Sequence, residues 1–223
     1  MTLGAARMTT PLTARDLFRR AYENRYTWDR NFPGYTAEVQ WKRGEAVASG
    51  TVRIHPDLSV EVMGVADETT QAEIQGQLRE IVIHRVRRSF EDTHGKNSFE
   101  YGATDETGAV EILVSGKAMG DRYKVRNNEV CMVHRQIHGV VVTINTFSSQ
   151  QTGTGYLSHR YDSVYHDGKT GVLKGASQFE DQYQPVGNYH ILTRRVIQSQ
   201  QDGQSITTEF AFSKVQILEP VAV

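Results

Sequence analysis

The sequence predicts a single domain of mainly antiparallel β-structure with two main helices, and three observations predict it. Residues 14–28 and 67–89 each space apolar side chains three and four apart, the period of a helix with one buried stripe. From residue 98 onward apolar and polar residues alternate, the two-residue period of a strand. Between the alternating runs stand Asn127-Asn128, Asp167-Gly168 and Asp202-Gly203, pairs that suit tight hairpins and so antiparallel neighbours. No repeat or low-complexity linker divides residues 1–223, which are expected to form one domain with a disordered segment 1–10.

The first helix opens on a capping box, with Thr13 at the N-cap and Asp16 reaching back. Leu17, Phe18, Ala21 and Tyr22 follow on one stripe, and Pro33-Gly34 marks the stop. In "YTAEVQWK", residues 35–42, Tyr35, Ala37, Val39 and Trp41 alternate with Thr36, Glu38, Gln40 and Lys42, so one strand face is apolar and the other wet. "AVASGTVRI" runs into the turn His55-Pro56-Asp57, and "LSVEVMGV" returns. Asp67 is the N-cap candidate of the second helix, whose stripe is Ile74, Leu78, Ile81, Val82 and Val86. Arg85, Arg87 and Arg88 near its end complement the helix dipole or offer an anion site. The remaining segments bring the total to ten to twelve strands, with "SSQQTGTG", residues 148–155, as the most loop-like interior stretch.

Composition narrows the function. A net charge of −1 over 223 residues opposes bulk electrostatic attraction to nucleic acid or to anionic membrane. No run reaches the ~20 apolar residues of a membrane span, and the N-terminal sequence, with Met8 as a second start, has no signal-like apolar core. A cytoplasmic place is therefore expected, or a stromal one in a plastid relative. The lone Cys131 reads as a structural thiol.

Candidate chemistry is sparse. His134-x3-His138 has a spacing useful for metal on a helix, but its surroundings are β and no third ligand is spaced for it. His159, Tyr161, Ser163 and Tyr165 alternate onto one strand face and read either as a polar cavity wall or as a solvated face. Glu180-Asp181 fall in a turn-like stretch, and no nucleophile elbow, phosphate loop or dinucleotide fingerprint occurs. No catalytic residue, metal ligand or cofactor is assigned, and an enzyme is the least favoured reading.

Helix, three strands, helix and then a long antiparallel run is an order that resembles the LolA/LolB lipoprotein-carrier fold. "QYQPVGNYHILTRRVI", residues 182–197, is loosely similar to a strand entry of that family, with Ile191-Leu192 where a proline is usual. The resemblance implies a curved, unclosed half-barrel with the helices on its concave face. "LFRRAYENRYTWDRNFPGYTAEV", "SVYHDGKTG" and "DQYQPVGNYHILTRRVI" further resemble an uncharacterised family of proteins of about 220 residues from photosynthetic bacteria and plants.

The stretch "ENRYTWDRNFPGYTAEVQW" holds five aromatic residues where the first helix hands over to a strand. With the half-barrel in mind, Phe18, Tyr22, Trp28, Tyr35 and Trp41 are expected to border a helix–sheet cleft. Such a cleft would suit an apolar or amphipathic ligand such as a lipid, isoprenoid or pigment. The same rings read equally as core. The alternative function is a protein-interaction or assembly factor working through the sheet surface or an edge.

Overall fold

A computed structural model describes residues 11–201 and 203–219. The expectations for segment 1–10 and for Asp202 lie outside the described residues. The chain runs α1 (Ala14–Glu23), β1 (Tyr35–Arg43), β2 (Ala46–Ile54), β3 (Val60–Met63), α2 (Glu68–Ile83) and α3 (Phe90–His94). Nine strands follow: β4 (Asn97–Thr104), β5 (Val110–Gly116), β6 (Arg122–Arg126), β7 (Glu129–Ile137), β8 (Val140–Gln151), β9 (Tyr156–Asp167), β10 (Leu173–Val186), β11 (Tyr189–Gln201) and β12 (Gln204–Ile217).

All twelve strands join one antiparallel sheet in the order β3-β2-β1-β12-β11-β10-β9-β8-β7-β6-β5-β4. The meander from β4 to β12 thus ends against β1, and the edges β3 and β4 stay apart, so the curved sheet is an unclosed half-barrel. Directly paired residues share a face. The pairs Trp41–Phe210, Phe210–Arg195 and Arg195–Asp181 lie on one side, which continues through Phe179–Tyr161, Ser163–Ile144, Ile144–Val133, Val133–Tyr123 and Tyr123–Ile112. Every helix packs on that side. Phe18 of α1 stacks on Tyr123 at 4.4 Å, Gln77 of α2 bonds Arg195, and Phe90 of α3 joins the cluster of Ile112.

Local signals explain the elements. Asp16 N donates to Thr13 Oγ1, which caps α1, while the Asp16 carboxylate reaches back to accept from the Thr13 hydroxyl rather than from its backbone N–H. Asp67 accepts from Thr70 N at 2.7 Å and starts α2. Asn127 and Asn128, at φ 53° and 61°, form the left-handed pair that a tight hairpin needs. On β1, Tyr35, Ala37, Val39 and Trp41 are buried and Glu38 and Gln40 exposed, as the alternation requires. Gly34, at φ 88°, could not carry a Cβ, which would collide with the Ile54 carbonyl.

Three boundaries differ from expectation. The first helix ends at Glu23, not near 28, because the backbone beyond it finds partners elsewhere. Tyr26 N donates to Tyr156 O and Trp28 N to Arg85 O, which holds residues 24–34 as a strap across the inner face. The second helix ends at Ile83 rather than 89, since Trp28 occupies the Arg85 carbonyl and Ser89 then caps the separate turn α3. Within 148–155 the expected loop shrinks to 152–155. Ser149 and Gln150 belong to β8, fixed by bonds to Glu129 and to Tyr183 O.

Candidate functional site

The five aromatic residues read as cleft-lining do not meet in one place. Phe18 and Tyr22 belong to a cluster under α1 and α3 with Phe90, Ile112 and Tyr123. Trp28, Tyr35 and Trp41 belong to a second core under α2, with Ile74, Leu78, Phe210 and Phe212. All five are between 1% and 8% exposed. The structure joins Trp28 to Tyr35 through Phe32, which stacks on Trp28 at 3.9 Å. The single cleft is corrected to two packed cores bridged by the strap, because α1 lies over β4, β6 and β7 whereas β1 pairs with β12 beyond the middle of the sheet.

Between these cores the inner face is uncovered. On β9 the first residues, Tyr156 and Leu157, are buried beneath the strap; farther along the inner face Tyr161 is half-buried and Tyr165 exposed, with the small Ser163 buried between them. Inward residues of the neighbouring strands follow the same trend. Val133, Val142, Ile144, Phe179 and Ile197 are all half-buried, while their counterparts on β1 and β5 are closed off. The result is a half-buried strip of the concave face, here called the trough, covered at the strap end and less covered toward the β7–β8 and β9–β10 hairpins. Its floor is mainly aliphatic and aromatic, with Tyr161 and Phe179 stacked at 4.7 Å and only 4° apart in plane, and it includes the Ser163–Ser177 pair and Arg135 opposite Val142.

A buried polar network forms the wall on the α2 side. Arg195 Nε donates to Asp181 Oδ1 at 2.8 Å and its Nη2 to Oδ2 at 2.6 Å. The remaining guanidinium contacts are Gln77 on α2 and the Tyr161 hydroxyl. Tyr161 and Tyr183 both donate to Asp181, and Arg85 donates to Tyr183 at 2.9 Å. Burial pushes the Tyr161 phenol well above its usual range, against the pull of Arg195, so it stays neutral. Burial likewise pushes Tyr183 up to about 12. Apart from Arg85 Nε, which is buried without a partner, these groups satisfy one another. The network orients the Tyr161 ring against Phe179 and anchors α2 to the sheet, so one edge of the trough is rigid.

Other candidate residues fall into place around it. Tyr161, Ser163 and Tyr165 share the inner face, while His159 sits at a bulge and bonds Asp181 O through Nδ1 at 2.6 Å. His134 turns to the outer face and pairs with Thr143 at 2.8 Å; His138 occupies a left-handed turn position, so the two histidines are apart in role. Cys131 is half-buried, its thiol directed at Lys124 O. Arg85 is drawn into the core, and Arg87 and Arg88 lie beyond the end of α2. Glu180 and Asp181 stand within β10 rather than at a turn. Sequence reasoning missed Arg195 and Asp181. The available signal was their alternation with Val196, Ile197 and Tyr183 in two facing strands, which puts a charge of each sign on the apolar face.

No helix among the described residues is long and apolar enough to cross a membrane. No protein of established description matches the chain in sequence. Among solved structures, the chain is similar to MucB in complex with MucA(peri), at 10% identity over 92% of this chain and 94% of that one, with a TM-score of 0.24. The complex of Pseudomonas aeruginosa MucA/MucB matches at 10% identity, the same coverage and a TM-score of 0.23. A model of the family described as "protein of unknown function (DUF3386)" matches residues 9–218, nearly the full length, and the chain belongs to that family.

Proposed function

We propose that this chain is a non-catalytic binding protein whose inner-face trough takes an apolar or amphipathic small molecule of the lipid or isoprenoid kind. The observation that carries this is the burial gradient. The same sheet face is closed by helices at both flanks and left half-open over β7–β10, where its side chains are mainly valine, isoleucine, phenylalanine and tyrosine, with Ser163, Ser177 and Arg135 among them. A strip of apolar side chains with a few hydroxyls is the usual lining of small-molecule sites. In this reading the aromatic residues Phe18, Tyr22, Trp28, Tyr35 and Trp41 serve as packed walls that hold the trough's shape.

The test uses Tyr165→Trp as a reporter at the open end and a long-chain acyl probe in titration. Saturable fluorescence change is expected, and Val142→Arg on the floor should weaken it about tenfold or more, since a charge there opposes apolar contact. No saturable change, or binding indifferent to Val142→Arg, would overturn the reading.

A further inference from the structure

We infer that the hairpin end of the half-barrel is a docking surface for bilayers that contain anionic lipid. Strand directions bring the β5–β6, β7–β8 and β9–β10 turns to one end of the sheet, on neighbouring strands. Six of the twelve exposed large apolar side chains among the described residues lie at that end: Met119, Ile137, Tyr165, Val172 and Leu173 on these turns and their strands, and Val47 beside the β1–β2 turn farther along the sheet. Met119 is 77% exposed, Val172 63% and Leu173 58%. Exposed apolar groups gathered at one end call for a partner.

The turns are held as one unit. Gly168 N donates to Gly139 O at 2.8 Å across the two hairpin tips, and Asp167 caps its own turn through Lys169 N and Thr170 N. Their charge is positive. Asp167 is paired with Lys174, and Asp121 with Arg135, whereas Lys117 and Lys169 make no ion pair among the described residues. Separate tips of methionine, isoleucine, valine and leucine flanked by lysines suit a bilayer surface, which accepts disjoint apolar points and needs no matching shape. A protein partner would want a contiguous patch with aromatic anchors. The trough opens at this same end, but the docking surface stands on the turns alone.

The full chain is sedimented with phosphatidylcholine vesicles, with and without phosphatidylglycerol. Association with the anionic vesicles is expected, weakening as salt is raised. Val172→Asp with Leu173→Asp should reduce it about tenfold or more, and Lys169→Glu with Lys117→Glu by a similar factor. Met119→Glu, on a different turn, guards against a local folding defect in the first pair. Absence of binding to any vesicle, binding that ignores lipid charge, or binding unmoved by these substitutions would overturn the inference. So would self-association that the same substitutions abolish, with no vesicle binding. Val142→Arg separates the two readings: vesicle binding that survives where probe binding is lost supports both, and vesicle binding by a protein with no probe binding supports docking alone.

Discussion

The Arg195 guanidinium and the Asp181 carboxylate form a two-pronged ion pair in which the side chains are only 3% and 1% exposed. Taking both charges out of water is costly, and the Coulomb gain offsets that cost only while the partners and their hydrogen bonds stay complete. Asp181→Ala leaves the buried guanidinium without its counter-charge and Tyr161 and Tyr183 without their acceptor. A loss of about 3–5 kcal/mol is expected in urea unfolding. The double variant Asp181→Leu with Arg195→Met should lose less than the single one. A double variant as unstable as Asp181→Ala would show that the pair matters for more than its own neutrality.

Trp41 tests whether the α2 side is core or site. Its ring is 6% exposed, opposite Phe210 across the β1–β12 ladder, with the Arg43 guanidinium 5.0 Å from its centroid. Trp41→Ala is expected to cost about 3–5 kcal/mol, the usual range for a large aromatic ring removed from a core. Probe affinity in the trough should change little at temperatures where the variant is folded. A small stability loss with a large affinity loss would place the ligand at Trp41 instead.

His94 sets an acid limit on the other core. Its ring is ringed by Phe18, Tyr22, Phe90, Phe99 and Tyr123, and Nδ1 has no partner. Burial, and secondarily Arg135, Arg25 and Arg15, lower its pKa to about 4 from an ordinary 6.5. The unfolded chain therefore binds the proton first as pH falls. Stability from this group is intact above pH ~6.5 and declines progressively toward pH ~4, by at most about 3 kcal/mol. His94→Phe should flatten that limb of the stability profile. An unchanged slope between wild type and variant would contradict the assignment.

Much of the fold was legible because local patterns and tertiary structure agree. The Thr13 and Asp67 caps, the Tyr35–Trp41 alternation and the Asn127-Asn128 turn each depend on neighbours in sequence. The helix ends were not legible, since Tyr26 and Trp28 leave the helical path to pair with Tyr156 and Arg85, residues far along the chain. The aromatic stretch pointed correctly to a junction, but one that bridges two cores. The trough was hidden for a related reason: its floor comes from β7–β10, and only the placement of the helices decides which part of an apolar sheet face stays open. Arg195 and Asp181 look like ordinary surface charges until the facing register is known.

Native mass spectrometry of the protein purified from its own host tests the central claim most directly. Wild type is expected to carry a co-purifying apolar or amphipathic molecule, released on mild activation, and Val142→Arg to be isolated without it while keeping the wild-type thermal midpoint within a few degrees. The bare chain mass in both preparations, alongside the absence of saturable probe binding, would contradict a ligand-binding trough.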